Sequence, residues 1–198
     1  MGKFRKSSYT HREFHSGQHR FEHWYRDNTV YFITSKVVNG AHAFSSERAK
    51  QIFWDRFNHY AAKYDFVPWV RTLMINHYHF LGYLRNGDNL GPLMQHLHGS
   101  VAKLVNDMLD ARIVPFWRSK GNKDYFDGCI RDELQLCRAY RYTLLQSVRA
   151  KMVSDYRLYP HTIVDVDLDI ALNRARSLNL YLEKVPYARY ERKRRLGR

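Results

Sequence analysis

Hydrophobic residues along the chain follow two periodicities, and the changes between them divide the sequence into strands and helices. A β-branched and aromatic run from Thr29 to Val38 predicts a first strand, which ends at Asn39-Gly40. Residues 66–84 predict two further strands, with Pro68 at their start and a polar turn at their end. The later strand contains residues 73–81 and is apolar on both sides of a histidine pair, which is typical of a strand buried in a sheet.

Two segments with helical spacing separate these strands from the second half of the chain. The first is a helix of about twenty residues, capped by Ser45 or Ser46 and with Glu47 in its first turn. The second begins near Asp88 or Asn89. Residues 111–128 then form a basic, aromatic connection, which could contact DNA or wrap the core.

A third helix is predicted from its cap at Asp132 to about Val153. At about 100° per residue, one apolar sector contains Leu134, Cys137, Leu144, Leu145, Val148 and Met152. A polar flank away from that sector contains Arg138, Tyr142, Gln146 and Arg149. Tyr140 lies on the opposite flank, so it ranks second as a candidate for chemistry.

The two ends of the chain are polar. Residues 1–28 contain His11, His15, His19 and His23 at four-residue intervals. On a continuous helix these could bind a metal, but Ser16-Gly17 interrupts the helical pattern and favours a flexible basic arm. Near the other end, Asp165, Asp167 and Asp169 predict a half-exposed strand or the entry to a last helix, with a three-aspartate metal site as the alternative.

Charge indicates the class of partner. The 198 residues include 33 Lys and Arg against 19 Asp and Glu, which gives a formal charge of +14, and 15% are aromatic. This composition is typical of a folded protein with a positive surface, for which nucleic acid is a more plausible partner than a membrane. No long apolar segment and no secretory signal are evident, and the two cysteines suit a reducing compartment, so we expect a cytoplasmic, nucleoid-associated protein without a membrane partner.

The histidine pair is the strongest candidate for chemistry. Because strand side chains alternate between faces, His77 and His79 emerge on one face, about 6–7 Å apart. They could be ordinary hydrogen-bonded histidines or ligands of one cation. With the amide oxygen of Gln146 they could supply three ligands to a divalent ion. Tyr142 precedes Gln146 by one helical turn, so its phenol could attack a phosphate polarised by that ion.

The order and spacing of these residues resemble a known family, the single-tyrosine HUH transposases, and within them the REP-associated tyrosine transposases. The His-hydrophobe-His block corresponds to residues 74–79, Met-Ile-Asn-His-Tyr-His. The tyrosine block corresponds to residues 142–150, Tyr-Thr-Leu-Leu-Gln-Ser-Val-Arg-Ala. Residues 93–100 and Phe116-Trp117-Arg118 resemble the family's intervening helix and connection. Many relatives have Asn-Pro where this chain has Gln146-Ser147. Glutamine, like asparagine, offers an amide oxygen as a ligand.

The resemblance implies a palm-like α/β (α+β) fold with a central antiparallel sheet and helices packed on it. The resemblance covers residues 29–160, the predicted HUH domain. Composition predicts a basic arm at 1–28 before it and a C-terminal helix with a basic tail at 161–198 after it. The implied activity is Mg²⁺- or Mn²⁺-dependent cleavage and rejoining of single-stranded DNA near short hairpins, through a covalent 5′-phosphotyrosine. His77, His79 and Gln146 are then metal ligands and Tyr142 is the nucleophile. The family contains dimers and monomers, so a homodimer remains open.

Basic residues outside the ligand set are candidates for DNA contact. They are Arg138, Arg149, Lys103, Arg118, Lys120, Arg192, Lys193, Arg194 and Arg195. Two other functions remain open on the same sequence. One is a non-catalytic hairpin DNA- or RNA-binding regulator that retains the fold, and the other is a structural RNA-binding protein.

Overall fold

A computed structural model describes residues 4–6, 24–119 and 124–177, with side chains from Arg26 onward. The basic-tail residues Arg192, Lys193, Arg194 and Arg195, the connection residue Lys120, and the histidine series His11, His15, His19 and His23 lie outside the described residues. Within the described ranges, every helix is too short or too polar to cross a membrane.

Two antiparallel sheets account for the strands. Near the N-terminus, β1 (Phe4–Lys6) pairs with β2 (Trp24–Arg26). The larger sheet contains β3 (Thr29–Lys36), β4 (Phe66–Leu73), β5 (His77–Leu84), β6 (Phe126–Cys129) and β7 (Thr162–Val164). Its order is β6-β3-β5-β4-β7, with β5 at the centre. The three strands predicted from hydrophobic pattern are therefore confirmed as its three middle strands.

Helices cover both faces of this sheet. They are α1 (Glu47–Lys63), α2 (Leu90–Asn106), α3 (Glu133–Leu144), α4 (Gln146–Arg149) and α5 (Leu168–Ser177). The predicted start of α1 is confirmed, because the Ser46 side chain accepts a hydrogen bond from the amide of Ala49. The Asp132 cap of α3 is confirmed in the same way by the amide of Gln135.

The alternation of strand side chains produces two hydrophobic cores. On one face, Tyr31, Ile33, Tyr78 and Phe80 pack with buried residues of α1 and α2. On the other, the buried Val30, Val70 and Leu81 pack with residues of α3 and α5. Residues of β5 with odd numbers therefore face α3, while Tyr78 and Phe80 face α1 and α2.

The third helix differs from its prediction in length and in rotation. It is interrupted at Leu145 and ends at Arg149, four residues short of Val153, because Lys151 adopts a left-handed conformation with φ of 57°. The predicted apolar sector is also wrong. The buried residues are Leu136, Tyr140, Thr143, Gln146 and Ser147, while Met152 of that sector is 43% exposed. Polar side chains can be buried here because the Tyr140 hydroxyl donates to the Val166 carbonyl, after β7. The Thr143 hydroxyl and the Gln146 amide donate to the carbonyls of Ala139 and Tyr142.

Three other boundaries are decided by strand pairing. Residues 111–128 were predicted as a connection, but their last three residues begin the edge strand β6. Phe116 and Trp117 are each 5% exposed in the α1–α2 core, so this part of the connection wraps the core. The sheet also continues past the predicted boundary at residue 160, because β7 pairs with β4. Within the predicted arm, residues 4–6 and 24–26 are paired strands.

Candidate active site

The centre of the sheet places both histidines on the α3 face. On β5, His77 pairs in register with Lys36, and His79 pairs with Thr34 on one side and Thr72 on the other. The ring centroids of His77 and His79 are 5.1 Å apart, with the rings nearly perpendicular. The prediction that the pair shares one face is therefore confirmed by the alternation of the strand.

The hydrogen bonds of Asn76 fix the orientation of His77. The amide nitrogen of Asn76 donates to the Gly40 carbonyl at 3.0 Å, so its oxygen, 2.7 Å from Nδ1 of His77, acts as an acceptor. That arrangement places a proton on Nδ1 and leaves the lone pair on Nε2, the tautomer that can bind a cation through Nε2. Burial lowers the pKa of His77, a hydrogen bond with Gln146 opposes that shift, and the charge of Lys36 adds to it.

His79 is buried without a polar partner. Its side chain is 4% exposed, and within the described part of the chain neither ring nitrogen has a hydrogen-bonding partner. Burial, reinforced by His77, lowers the pKa of His79 to about 3, so the imidazole is neutral at physiological pH. A neutral imidazole with two unsatisfied buried nitrogens is costly unless it binds something else.

Helix α3 is held over this face by hydrogen bonds near its end. The Thr72 hydroxyl, next to His79 in the sheet, donates to the Thr143 carbonyl at 2.8 Å. Thr143 is fully buried, and its own hydroxyl donates back to the Ala139 carbonyl. Because Thr143 directly follows Tyr142, this contact brings the tyrosine to the histidine pair.

The Tyr142 ring lies against His79, with centroids 5.1 Å apart and the rings perpendicular. Its side chain is 41% exposed, so the phenol is accessible from solvent. The amide nitrogen of Gln146 donates to the Tyr142 carbonyl at 2.8 Å, and the Gln146 side chain is 8% exposed. The structure therefore brings together all four residues proposed from sequence for metal binding and nucleophilic attack: His77, His79, Tyr142 and Gln146.

Tyr140 points to a different part of the molecule. Its ring is 3% exposed in the α3–α5 core, and its hydroxyl donates to the Val166 carbonyl at 2.7 Å. Burial, with the nearby Asp167, raises the pKa of Tyr140 to about 12. This hydroxyl has a structural partner and is inaccessible, in contrast to Tyr142.

The two histidines and Gln146 can provide three ligands to a divalent cation only if the Gln146 amide oxygen is one of them. Within the described ranges, no three His, Cys, Asp or Glu side chains are grouped so that they could hold a metal ion. His77 and His79 could supply two imidazole nitrogens, and Gln146 could supply a neutral oxygen. The unpartnered nitrogens of His79 are the feature of this structure that fits such an ion.

The aspartate alternation has structural roles. Asp165 forms a two-pronged ion pair with Arg71, with both nitrogen–oxygen distances 2.9 Å. Asp167 accepts a hydrogen bond from the amide of Ile170 at the start of α5. Asp169 lies in the first turn of α5. These positions match the predicted entry to a last helix.

Of the described basic residues predicted to contact DNA, three lie near the histidine pair or Tyr142 and one lies on the other face of the sheet. Arg149 is exposed and its guanidinium lies over the Tyr142 ring, while Arg138 is exposed one helical turn before Tyr142. The amide of Arg118 bonds to the Lys36 carbonyl, which brings Arg118 to the strand beside His77. Lys103 is exposed on α2, across the sheet from the histidine pair.

Two site residues were missed by the sequence analysis. Phe32 on β3 stacks on His79 with centroids 5.8 Å apart and meets Tyr142 edge-on at 5.9 Å. Lys36, on the same strand, is exposed next to His77. The alternation of β3 puts both on one face, but only the pairing of β3 with β5 places that face beside the histidines.

Comparison with solved structures supports the predicted fold. No protein-family model matches the sequence, and no curated protein is significantly similar to it. Among solved structures, the chain is similar to a REP-associated tyrosine transposase bound to a REP hairpin, with a TM-score of 0.59 and 14% sequence identity. The match covers 84% of this chain and 88% of that one. The predicted HUH-type α/β fold, a central antiparallel sheet carrying helices, is confirmed by this likeness.

Proposed function

We propose that the protein is a metal-dependent single-stranded DNA endonuclease and strand-transfer enzyme, a transposase that acts next to short hairpins. The observation that carries the proposal is the contact between Tyr142 and His79, an exposed phenol against a buried imidazole whose nitrogens have no partner among the described residues. The fold shared with a hairpin-bound tyrosine transposase supports the same activity.

His77, His79 and Gln146 would hold a Mg²⁺ or Mn²⁺ ion. When bound, such an ion polarises the scissile phosphate and stabilises the charge that develops on it. The protein prepares the ligands in advance, because Asn76 fixes the tautomer of His77 and burial keeps His79 neutral. Gln146 is fixed by its hydrogen bond to the Tyr142 carbonyl.

Tyr142 supplies the nucleophile. Its phenolic oxygen forms a bond to the phosphorus while the bond from phosphorus to the 3′ oxygen breaks. The phenolic proton passes to solvent, which reaches the partly exposed ring, and the leaving 3′ oxygen takes up a proton from solvent. The resulting 5′-phosphotyrosine retains a phosphodiester, so a 3′ hydroxyl can attack it and rejoin the strand.

Single-stranded DNA carrying a hairpin is the proposed substrate. The net charge of +14 favours a polyanion, and the solved transposase with this fold is bound to a REP hairpin. Around the site, four exposed cations could contact the DNA backbone: Lys36, Arg118, Arg138 and Arg149. We propose action in the cytoplasm at the nucleoid, and the monomer and the homodimer both remain compatible with a site assembled within one chain.

The test is a covalent adduct assay. A labelled single strand with a hairpin, incubated with Mg²⁺ or Mn²⁺, is expected to give a denaturation-resistant, protease-sensitive protein–DNA band. Tyr142→Phe should abolish that band because the phenolic oxygen is the attacking atom. The Tyr142→Phe variant should still bind the strand, which controls for folding.

A parent protein that forms no adduct, or a Tyr142→Phe variant that forms as much as the parent, would contradict the proposal. Salt-sensitive hairpin binding that persists without metal and without adduct would instead identify the non-catalytic regulator. Preferential competition by duplex or ribosomal RNA would indicate the structural RNA-binding protein.

A further inference from the structure

The Tyr142 ring has three aromatic or cationic neighbours. His79 and Phe32 make T-shaped contacts with it at centroid distances of 5.1 Å and 5.9 Å, with interplanar angles of 88° and 78°. The guanidinium carbon of Arg149 lies 5.0 Å from the ring centroid. The ring is therefore held by side chains from β3, β5 and α4.

We propose that Phe32 and Arg149 are positioning residues of the nucleophile, which together hold the Tyr142 ring over the histidine pair in the orientation for attack. This inference rests on the proposed function, because it assumes that Tyr142 attacks the phosphate. It gives Arg149 a role beyond DNA contact, and it gives Phe32 a role that the sequence did not indicate.

Arg149 suits this role because a guanidinium is planar and always charged. It can stack on an aromatic ring at a cost in hydration smaller than that of an ammonium group. The same charge lies beside the phenol as its oxygen loses a proton and negative charge develops, which favours attack. Arg149 can reach the ring because the short helix α4 follows α3 after the break at Leu145.

Phe32 suits this positioning role because its ring contacts both His79 and Tyr142. It stacks on His79 at 5.8 Å with an interplanar angle of 14°, and Phe126 supports it from the neighbouring edge strand at 6.3 Å. The position is fixed by the register of the sheet, where Phe32 lies opposite Leu81 of β5 and Gly128 of β6. Because Phe32 packs beside both His79 and Tyr142, it keeps the phenol within reach of a phosphate bound at the histidines.

The experiment separates ring positioning from DNA binding. Single-turnover adduct formation at saturating hairpin DNA gives a rate constant, and titration of the Tyr142→Phe background gives the dissociation constant. The variants are Arg149→Gln, Arg149→Lys, Phe32→Leu and Phe32→Tyr. Arg141→Gln is the matched control, because Arg141 is an exposed arginine next to Tyr142 on α3 and its substitution removes the same charge.

We expect Arg149→Gln and Phe32→Leu to lower the rate constant about 10-fold or more, with dissociation constants within about threefold of the parent value. Phe32→Tyr should restore most of the rate, because it keeps the ring, and Arg149→Lys should restore only part. Arg141→Gln should match Arg149→Gln in its effect on DNA binding and leave the rate constant near the parent value. Thermal unfolding of each variant verifies that it is folded.

Parent-like rate constants in Arg149→Gln and Phe32→Leu would overturn the inference while leaving the proposed function intact. A loss confined to the dissociation constant would make Arg149 a phosphate contact only and would also overturn it. A parent protein without any adduct would remove the proposed function itself, so the two failures are distinguishable.

Discussion

At the scale of the residue, His79 is the position where stability and function conflict. Its two ring nitrogens are buried without hydrogen-bonding partners in the described structure, whereas His77, its neighbour on the same face, is bonded to Asn76. An unsatisfied buried polar group costs about 1–3 kcal/mol. The protein retains that cost at one of the two histidines, which is expected of a ligand and unexpected of a structural residue.

We therefore predict opposite effects of leucine at the two positions. His79→Leu should leave the metal-free protein as stable as the parent, or more stable by about 1 kcal/mol, because it removes the unsatisfied nitrogens. His77→Leu should destabilise it, because the oxygen of Asn76 loses its partner. Urea unfolding in the presence of a chelator measures both.

Unfolding in the presence of metal tests the same two residues as ligands. Mn²⁺ or Mg²⁺ should raise the unfolding temperature of the parent protein through binding to the folded state, and neither leucine variant should respond. A His79→Leu variant that is several kcal/mol less stable than the parent would indicate that the imidazole has a structural partner after all, and would remove the argument for a ligand.

At the scale of the element, helix α3 carries two tyrosines with separate roles. Tyr140 and Thr143 are buried and hold the helix in place: the Tyr140 hydroxyl donates to the Val166 carbonyl, and the Thr143 carbonyl accepts a hydrogen bond from the Thr72 hydroxyl in the sheet. Tyr142 lies on the exposed side over the histidines. A two-residue separation on a helix corresponds to about 200°, so one tyrosine can be structural while the other is free to react.

The two tyrosines should respond to phenylalanine in opposite ways. Tyr140→Phe should lower the free energy of unfolding by about 1 kcal/mol, because the buried Val166 carbonyl loses a hydrogen bond, and it should retain adduct formation. Tyr142→Phe should change stability by less than about 0.5 kcal/mol, because the residue is partly exposed, and it should lose the adduct. Denaturant unfolding and the adduct assay on both proteins test this; an adduct that requires Tyr140 would reassign the nucleophile.

At the scale of the whole molecule, we expect the excess of basic residues to govern the affinity of the protein for DNA. The charge of +14 is spread over the chain, and a cluster at its end comprises Arg189, Arg192, Lys193, Arg194, Arg195 and Arg198. Cations that contact phosphates release condensed counterions, so the affinity depends on salt with a slope set by the number of contacts. The contribution of surface charge to DNA affinity can therefore be measured separately from the rate of the reaction at the site.

Affinity for a hairpin strand should fall about 10-fold or more between 50 and 200 mM salt. Replacing Arg192, Lys193, Arg194 and Arg195 with glutamine should reduce the slope of log affinity against log salt by about two to three, since about 0.7 counterions are released per contact with single-stranded DNA. The adduct rate at saturating DNA should be unchanged. Fluorescence anisotropy over a salt series gives the slope, and an unaltered slope would exclude the tail from the interface.

The sequence by itself determined the elements that depend on local pattern. Alternation, propensity and capping act within a few residues, and they predicted β3, β4, β5 and the caps of α1 and α3. The placement of both histidines on one face followed from the alternation of a single strand. Ligand chemistry and a family resemblance suggested that Tyr142 and Gln146 join them, but local pattern did not determine that contact.

Tertiary structure decided everything that depends on pairing between distant segments. The edge strands β6 and β7 are short, and they exist because β3 and β4 offer them hydrogen bonds. The rotation of α3 was set by two long-range hydrogen bonds, which outweighed its apolar periodicity. The Thr143 carbonyl accepts one from the Thr72 hydroxyl, and the Tyr140 hydroxyl donates the other to the Val166 carbonyl. Phe32 and Arg149 converge on Tyr142 for the same reason, since the register of β3 on β5 and the break before α4 are properties of the packed chain.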